Sequence, residues 1–157
     1  MNIFYLDKDP KEAAKHQYNK HIVKMILESA QMLCTAHWYY ESEDIPYKPA
    51  HINHPCSIWV RENALHYLWL YSHFLALGDE YTKRYNKVHL AIKKCKEYLS
   101  FIPMGMSVKP FKQPPQAMPD EYKTDCSVEA YWNYYIQGKK HIANKNEKVI
   151  TKKPVEL

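Results

Sequence analysis

The fold is decided by residues 9–40, which read DPKEAAKHQYNKHIVKMILESAQMLCTAHWYY. Asp9 and Pro10 form a helix start, because aspartate is a good N-cap and proline suits the first helical position. No further proline or glycine interrupts the stretch, and apolar side chains recur at helical spacing as far as about Tyr40. The pattern therefore predicts one long helix from Pro10 to about Tyr40.

Three polar side chains share one face of this apolar helix, because His21, Lys24 and Glu28 are spaced i, i+3 and i+7. A carboxylate on a buried face beside an apolar wall can have a raised pKa and act as a general acid or base. The alternative is an ion pair between Lys24 and Glu28 on a solvated edge, which is the commonest kind of surface decoration. Spacing alone leaves both interpretations open.

Proline-rich segments divide the rest of the chain. Residues 45–56 and 101–126 contain most of the ten prolines, which prevents regular structure there. The spacing predicts three further helices, from Cys56 or Ser57 to Tyr85, from about Val88 to Ser100, and from Ser127 to about Ile142. The buried stripe predicted for the first of these consists of Ile58, Leu65, Leu68, Tyr71 or Leu75, and Tyr81.

The fold class expected from these segments is mostly α. Residues 1–157 are predicted to form a single compact domain of about four helices with a proline-rich loop. The short apolar run from Ile3 to Leu6 is expected to be extended and buried against the body. Residues 144–157 are polar and rich in lysine, and they are predicted to form a loosely ordered basic tail.

Composition restricts the class of protein. The net charge of +5 is compatible with a polyanionic partner and equally with ordinary solubility. The four cysteines form no Cys-x-x-Cys pair, no stretch reaches the length of a membrane span, and the start does not look like a signal peptide. These features predict free thiols in a reducing cytoplasm. Three glycines could hardly build a phosphate-binding loop.

The histidines offer a metal site as one alternative. Nine histidines is a high count, but no His-x-x-x-His pair or His-Glu-x-x-His signature occurs. Scattered structural histidines are therefore the better default, and no metal ligands are predicted. The candidate donors for a His-rich metalloenzyme would be Glu28 together with His16, His21, His51, His54, His66 and His73.

Basic and aromatic residues are interleaved in two places, which is a pattern that can bind nucleic acid. Aromatic rings can stack on bases while cations hold phosphates, although most of these rings are expected to fill the core instead. The two groups are Arg61, Trp69, Lys83 and Arg84 near the second predicted helix, and Tyr131, Trp132, Tyr134, Lys139 and Lys140 in the last.

The order of several short motifs resembles the phage-type pyrimidine dimer DNA glycosylases, small mostly-α enzymes with an associated abasic-site lyase activity. The motifs are a Met-x-Ile-aromatic opening at residues 1–4, Asn19-Lys20-His21 followed by Glu28, Asn53-His54-Pro55, residues 80–85, and an aromatic C-terminal segment. The resemblance covers about two thirds of the chain. The chain is also similar to uncharacterised proteins of marine phages.

The resemblance implies a mechanism that needs no cofactor and acts on duplex DNA with a lesion. An α-amine, here that of Met1 or Asn2, would attack C1′ of the damaged nucleotide and form a Schiff base. An α-amine suits this role because its low pKa leaves part of it unprotonated near neutrality. Glu28 would be the catalytic carboxylate and His21 a substrate-positioning residue. Further candidates for substrate binding are Lys24, Asn53, His54, Arg61, Lys83 and Arg84.

The chain departs from the family's pattern at three positions. Asn2 stands where the type enzyme exposes a small threonine, and Leu27 and Gln31 stand where arginines are expected. The chain therefore has few of the basic residues that the resemblance implies for phosphate binding. Two other functions stay open, a non-catalytic nucleic-acid-binding or protein-binding helical module of phage origin and the His-rich metalloenzyme.

Overall fold

A computed structural model describes residues 1–154, and these contain helices and no strands. The mostly-α class predicted from the sequence is confirmed. Asp9 caps the first helix as expected, its carboxylate accepting a hydrogen bond from the Lys11 amide at 2.8 Å. The six α-helices are α1 (Pro10–Lys15), α2 (Asn19–Tyr39), α3 (Pro55–Arg61), α4 (Ala64–Tyr85), α5 (Leu90–Leu99) and α6 (Ser127–Asn133).

The first predicted helix is divided into α1 and α2 at residues 16–18. Tyr18 is extended, and its amide donates to the Tyr135 hydroxyl at 2.8 Å instead of to a helical carbonyl. The guanidinium of Arg84 donates to the carbonyls of Lys15 and Gln17 at 3.0 and 2.7 Å. The prediction of one helix was wrong because groups far along the chain satisfy the polar backbone of this turn.

The second predicted helix is divided into α3 and α4 by Asn63. The Asn63 side chain is buried and serves two elements at once. Its oxygen accepts from the Leu65 amide at 3.0 Å and from the Lys109 amide at 3.1 Å, and its nitrogen donates to the Lys109 carbonyl at 3.0 Å. Asn63 therefore caps a new helix at this point, and the same side chain holds the proline-rich loop against it.

The buried stripe predicted for the second helix, which is divided into α3 and α4, was wrong in part. Ile58, Leu65 and Leu68 are exposed, and of the predicted set only Tyr81 is buried. Apolar side chains occupy almost every face of α4, so spacing alone could not select the buried one. The stripe that enters the core consists of Tyr67, Leu70, Phe74, Leu77 and Tyr81.

The core lies where α2 and α1 pack against α4, with the chain's start inserted beside them. Residues 3–6 are buried as predicted, and the Trp132 indole donates to the Leu6 carbonyl at 2.7 Å. They are not extended throughout, because Phe4 has a φ of 54° and the Leu6 amide donates to the Phe4 carbonyl at 2.8 Å. Gly78 marks a close contact between helices, because a Cβ there would lie 2.5 Å from the Ile92 Cδ1 of α5.

The last predicted helix ends early. α6 stops at Asn133, and the chain continues through a π-helical turn (Tyr134–Gly138) and a short 3₁₀ turn (Lys140–Ile142). Within the tail, the Glu147 carboxylate accepts from the Asn19 amide at 2.8 Å. The loose order of residues 144–157 stays a prediction, and residues 155–157 lie outside the described residues. No helix within residues 1–154 is long and apolar enough to cross a bilayer.

Candidate active site

The chain's start is folded into a tight turn by Asn2. The Asn2 side-chain oxygen accepts from the amides of Ile3 and Phe4 at 2.7 and 3.0 Å, and its nitrogen donates to the Ala117 carbonyl at 2.9 Å. Phe4 takes a left-handed conformation with φ of 54°. The turn brings the Met1 α-amine within 3.1 Å of Glu28 Oε1.

Glu28 lies on the buried face of α2, with 9% of its surface exposed. Its second oxygen, Oε2, is buried and has no hydrogen-bond partner among the described residues. Lys24 Nζ is 3.8 Å from that oxygen, and the Lys24 side chain is 71% exposed. The ion pair predicted from spacing is therefore present, but Glu28 does not lie on a solvated edge. A buried acceptor without a donor costs about 1–3 kcal/mol, which makes it a candidate for ligand contact.

His21 lies about two helical turns before Glu28 on the same face of α2, and its ring is neutral. Its ring stacks on Phe4 with centroids 4.4 Å apart, and its Nδ1 is 2.8 Å from the Tyr135 hydroxyl. Burial lowers the pKa of His21 to about 3, and the positive charges of Lys139 and Lys24 act in the same direction. The Tyr135 hydroxyl accepts from the Tyr18 amide, and His21 Nδ1 is the one acceptor for its own proton among the described residues. We therefore assign that hydrogen bond to Nδ1, which leaves the His21 proton on Nε2.

His54 is held in the same tautomer by a different contact. It is the N-cap of α3, and its Nδ1 accepts from the Cys56 amide at 3.0 Å. Burial, and next the charge of the α-amine, lower the pKa of His54. The proton of the neutral ring is therefore on Nε2. Both histidines can donate an N–H bond to a ligand at neutral pH.

These groups line a cleft of about 500 Å³. Its cations come from three parts of the chain, namely Lys24 on α2, Lys123 in the proline-rich loop and Lys139 after the π-helical turn. Lys139 Nζ lies 5.0 Å from the centre of the Tyr134 ring. Gly138 permits this arrangement, because a Cβ there would lie 2.8 Å from the same ring. The cleft therefore combines a buried carboxylate and an α-amine with a cationic wall.

The cleft brings six of the predicted site residues together and leaves four outside. The six are Met1, Asn2, His21, Lys24, Glu28 and His54. Asn53 and Lys83 are exposed elsewhere. Arg61 donates to the Ile52 carbonyl at 2.6 Å, and Arg84 pairs with Glu80 at 3.1 Å in addition to holding the turn between α1 and α2. The substrate-binding role of these four residues stays a prediction.

Sequence reasoning did not assign several of the residues that complete the cleft. Motif spacing says nothing about where a loop returns, and the sequence predicted only that residues 101–126 form a proline-rich loop without regular structure. Lys139 and Tyr134 appeared only as part of a possible nucleic-acid surface. The remaining unassigned residues are Gln116, Ala117, Met118 and Lys123.

Within residues 1–154 no three histidine, cysteine, aspartate or glutamate side chains are grouped so as to hold a metal ion. Two of the histidines considered as donors have structural contacts at both ring nitrogens. His66 contacts the Trp59 carbonyl at 2.7 Å and the Lys112 amide at 3.0 Å. His73 contacts the Pro10 carbonyl at 2.9 Å and Gln17 at 3.3 Å.

Comparison with known protein families shows to which family the chain belongs. The family model for pyrimidine dimer DNA glycosylase matches residues 1–93, which is more than half of the chain. The chain therefore belongs to the pyrimidine dimer DNA glycosylase family, and the resemblance drawn from its motifs is confirmed. No curated protein and no solved structure matches it. The match includes Met1, His21, Glu28 and His54, whereas Lys123 and Lys139 lie beyond it.

Proposed function

We propose that the protein is a DNA glycosylase with abasic-site lyase activity, which acts on damaged pyrimidines through an N-terminal amine. The observation that carries the proposal is the 3.1 Å contact between the Met1 α-amine and the Glu28 carboxylate at one wall of a cationic cleft. Membership of a DNA glycosylase family supports DNA as the substrate.

The proposed reaction begins with loss of a proton from the α-amine. The amine nitrogen then attacks C1′ of the damaged nucleotide, and the bond from C1′ to the base breaks as the base takes up a proton. Opening of the sugar ring moves a proton to O4′ and leaves a Schiff base between C1′ and the protein. Removal of a C2′ proton then expels the 3′ phosphate, which cleaves the strand.

Glu28 is suited to the proton transfers in this sequence. Its Oε1 contacts the attacking amine, so it can take the proton that the amine must lose. Its Oε2 is the buried acceptor without a partner, and it can receive a hydrogen bond from the O4′ hydroxyl of the opened sugar. The same carboxylate stabilises the positive charge of the iminium form.

The cations of the cleft supply phosphate contacts where the family's arginines are absent. Leu27 is 38% exposed and carries no charge, whereas Lys24, Lys123 and Lys139 lie around the cleft. Lysine ammonium groups bind phosphate as point charges. The neutral rings of His21 and His54 would donate hydrogen bonds to acceptor atoms of a nucleotide displaced from the helix stack.

Borohydride trapping tests the proposal. The protein is incubated with sodium borohydride and a duplex that contains a thymine dimer, an abasic site, or neither. We expect a covalent adduct with the first two duplexes and none with the third. Absence of an adduct with both damaged duplexes, together with salt-sensitive binding to undamaged DNA, would overturn the proposal in favour of a non-catalytic DNA-binding module.

A further inference from the structure

A groove leaves the cleft along the proline-rich loop. A depression of about 530 Å³ shares Pro55, Gln116, Ala117 and Lys123 with the cleft. A second depression, of about 370 Å³, shares Pro55 and Pro115 with the first and ends at Lys112. We call this continuous surface the proline groove, and its walls are formed by Pro55, Ile58, Lys112, Pro114, Pro115 and Lys123.

The loop that forms the groove is held along its length. Asn63 bonds the backbone of Lys109, as described above, and the Trp59 indole donates to the Lys112 carbonyl at 2.9 Å. The Ser127 hydroxyl donates to the Pro114 carbonyl at 2.8 Å, and the Tyr131 hydroxyl donates to the Pro115 carbonyl at 2.7 Å. The groove is therefore preformed, because side chains of the helical body fix the carbonyls that its prolines leave without neighbouring donors.

The chemistry of the groove combines an apolar floor with cations at its edge. Pro55, Pro115 and the exposed side chain of Ile58 supply apolar surface. Two carboxylates lie near the lysines. Asp120 pairs with Lys123 at 2.8 Å. Glu62 lines the second depression together with Lys112, and it is not neutralised by His66, because His66 Nδ1, 3.6 Å away, already contacts the Trp59 carbonyl. Lys112 is exposed and forms no ion pair within residues 1–154.

We propose that the proline groove binds the DNA strand that flanks the lesion, with Lys112 contacting a backbone phosphate. The inference rests on the proposed function, because the groove begins at the cleft where the damaged nucleotide would react. In duplex DNA, lysine side chains contact the backbone phosphates and fix the position of the protein on the strand. Lys112 and the rest of the loop lie beyond the residues matched by the family model, whereas Pro55 and Ile58 lie within them.

The test compares DNA of two lengths. Each duplex carries either three or twelve base pairs on each side of the site, the short one closed by a hairpin loop so that it stays double-stranded. A tetrahydrofuran abasic analogue is used to measure Kd over a range of salt concentrations. A natural abasic site in the same duplexes is used for borohydride trapping, because the analogue lacks the C1′ aldehyde that forms a Schiff base. Lys112→Gln removes the proposed phosphate contact and leaves the backbone bonds of residue 112 in place. Lys93→Gln on α5 is the matched control, since Lys93 is exposed and lines none of these depressions.

On the long duplex, Lys112→Gln should weaken binding by about three-fold to tenfold and reduce the slope of log Kd against log salt by about 1. Lys112→Glu should have a larger effect, and Lys93→Gln should have none. On the short duplex all variants should bind and form borohydride adducts like the unchanged protein.

Equal affinity of Lys112→Gln and the unchanged protein for the long duplex would overturn the inference. The groove would then be a binding surface for a protein partner and not for DNA. An equal loss on both duplexes would overturn it as well, because the contact would then lie within the cleft. Failure of the unchanged protein to bind or trap the short duplex would instead count against the proposed function itself.

Discussion

The two ends of α2 each place a buried histidine in a depression of similar size. The cleft near His21 measures about 500 Å³, and the depression near His37, here called the distal pocket, measures about 510 Å³. His37 is fully satisfied, with Nδ1 2.9 Å from the Ser42 hydroxyl and Nε2 2.9 Å from the Tyr67 hydroxyl. His21 has one hydrogen-bond partner among the described residues, and the Glu28 carboxylate in the same cleft has an oxygen that forms no hydrogen bond with them.

The difference shows which feature marks a site. Burial lowers the pKa of both His21 and His37, so a perturbed histidine does not distinguish the two ends. The cleft differs because polar atoms are left without partners and lysines of separate segments surround them. The distal pocket is lined mainly by apolar and aromatic residues of the segment after α5, including Phe101 and Met104. Unsatisfied polar groups therefore point to chemistry at the first end.

Glu28→Gln should have the largest effect. The amide keeps the shape of the side chain but can no longer take the proton of the α-amine, so adduct formation on an abasic-site duplex should slow at least about 100-fold. The rate of borohydride trapping measures this effect. Glu97→Gln in the distal pocket is the matched control and should trap at the unchanged rate, whereas equal rates for the two variants would remove the distinction between the two ends of α2.

His54→Asn should have an intermediate effect. Asparagine is also a good N-cap, so α3 should be preserved while the Nε2–H donor to the cleft is lost. We expect about a tenfold loss of kcat/KM, in line with the loss of one hydrogen bond of about 1.4 kcal/mol. His89 is the matched control, because it caps α5 in the same way at 3.0 Å from the Ala91 amide and lies away from the cleft.

His54→Asn and His89→Asn should have the same thermal stability. A similar loss of kcat/KM in both variants would show that the effect of His54 comes from helix capping, and it would contradict a donor role in the cleft.

Acid should destabilise the protein through its buried histidines. In the folded state the pKa of His21 is about 3 and that of His73 about 4, chiefly because of burial, and both lie below the ordinary value of 6.5. Below pH 6.5 the unfolded chain binds protons that the folded chain does not, so the free energy of unfolding falls as the pH falls. Each histidine contributes about 1.4 kcal/mol per pH unit, down to its folded pKa.

Urea unfolding at pH 7, 6 and 5 measures this slope. Removing one titrating group in His21→Gln should make the curve shallower. A free energy of unfolding that is constant between pH 7 and pH 5 would contradict the neutral, buried state of these rings.

His37→Gln should have the smallest effect on activity. The substitution disturbs a satisfied pair of hydrogen bonds in the distal pocket, so it should lower the free energy of unfolding by about 1–3 kcal/mol. Trapping of an abasic-site duplex at a temperature where the variant is folded should proceed at the unchanged rate. A slower rate there would mean that the distal pocket takes part in the reaction.

The sequence predicted the class of fold and the residues of α2 and of the chain's start that line the cleft. It did not predict which distant segments complete the lining. The Asp9 cap and the buried run from Ile3 to Leu6 depend on local patterns, and both predictions were confirmed. The break at Tyr18 depends on Tyr135, far along the chain, which no local pattern reveals. The position of Lys123 at the cleft depends in the same way on the return of the proline-rich loop.

The proposed reaction uses the Met1 α-amine, rather than a lysine, as the nucleophile. Lys24 is the nearest alternative amine, with its Nζ 3.8 Å from Glu28 Oε2. Proteolysis of the borohydride-trapped adduct, followed by mass spectrometry of the peptide that carries the sugar remnant, tests the claim directly. We predict the modification on the α-amine of the first residue. Modification of Lys24 or of any other lysine side chain would contradict the account.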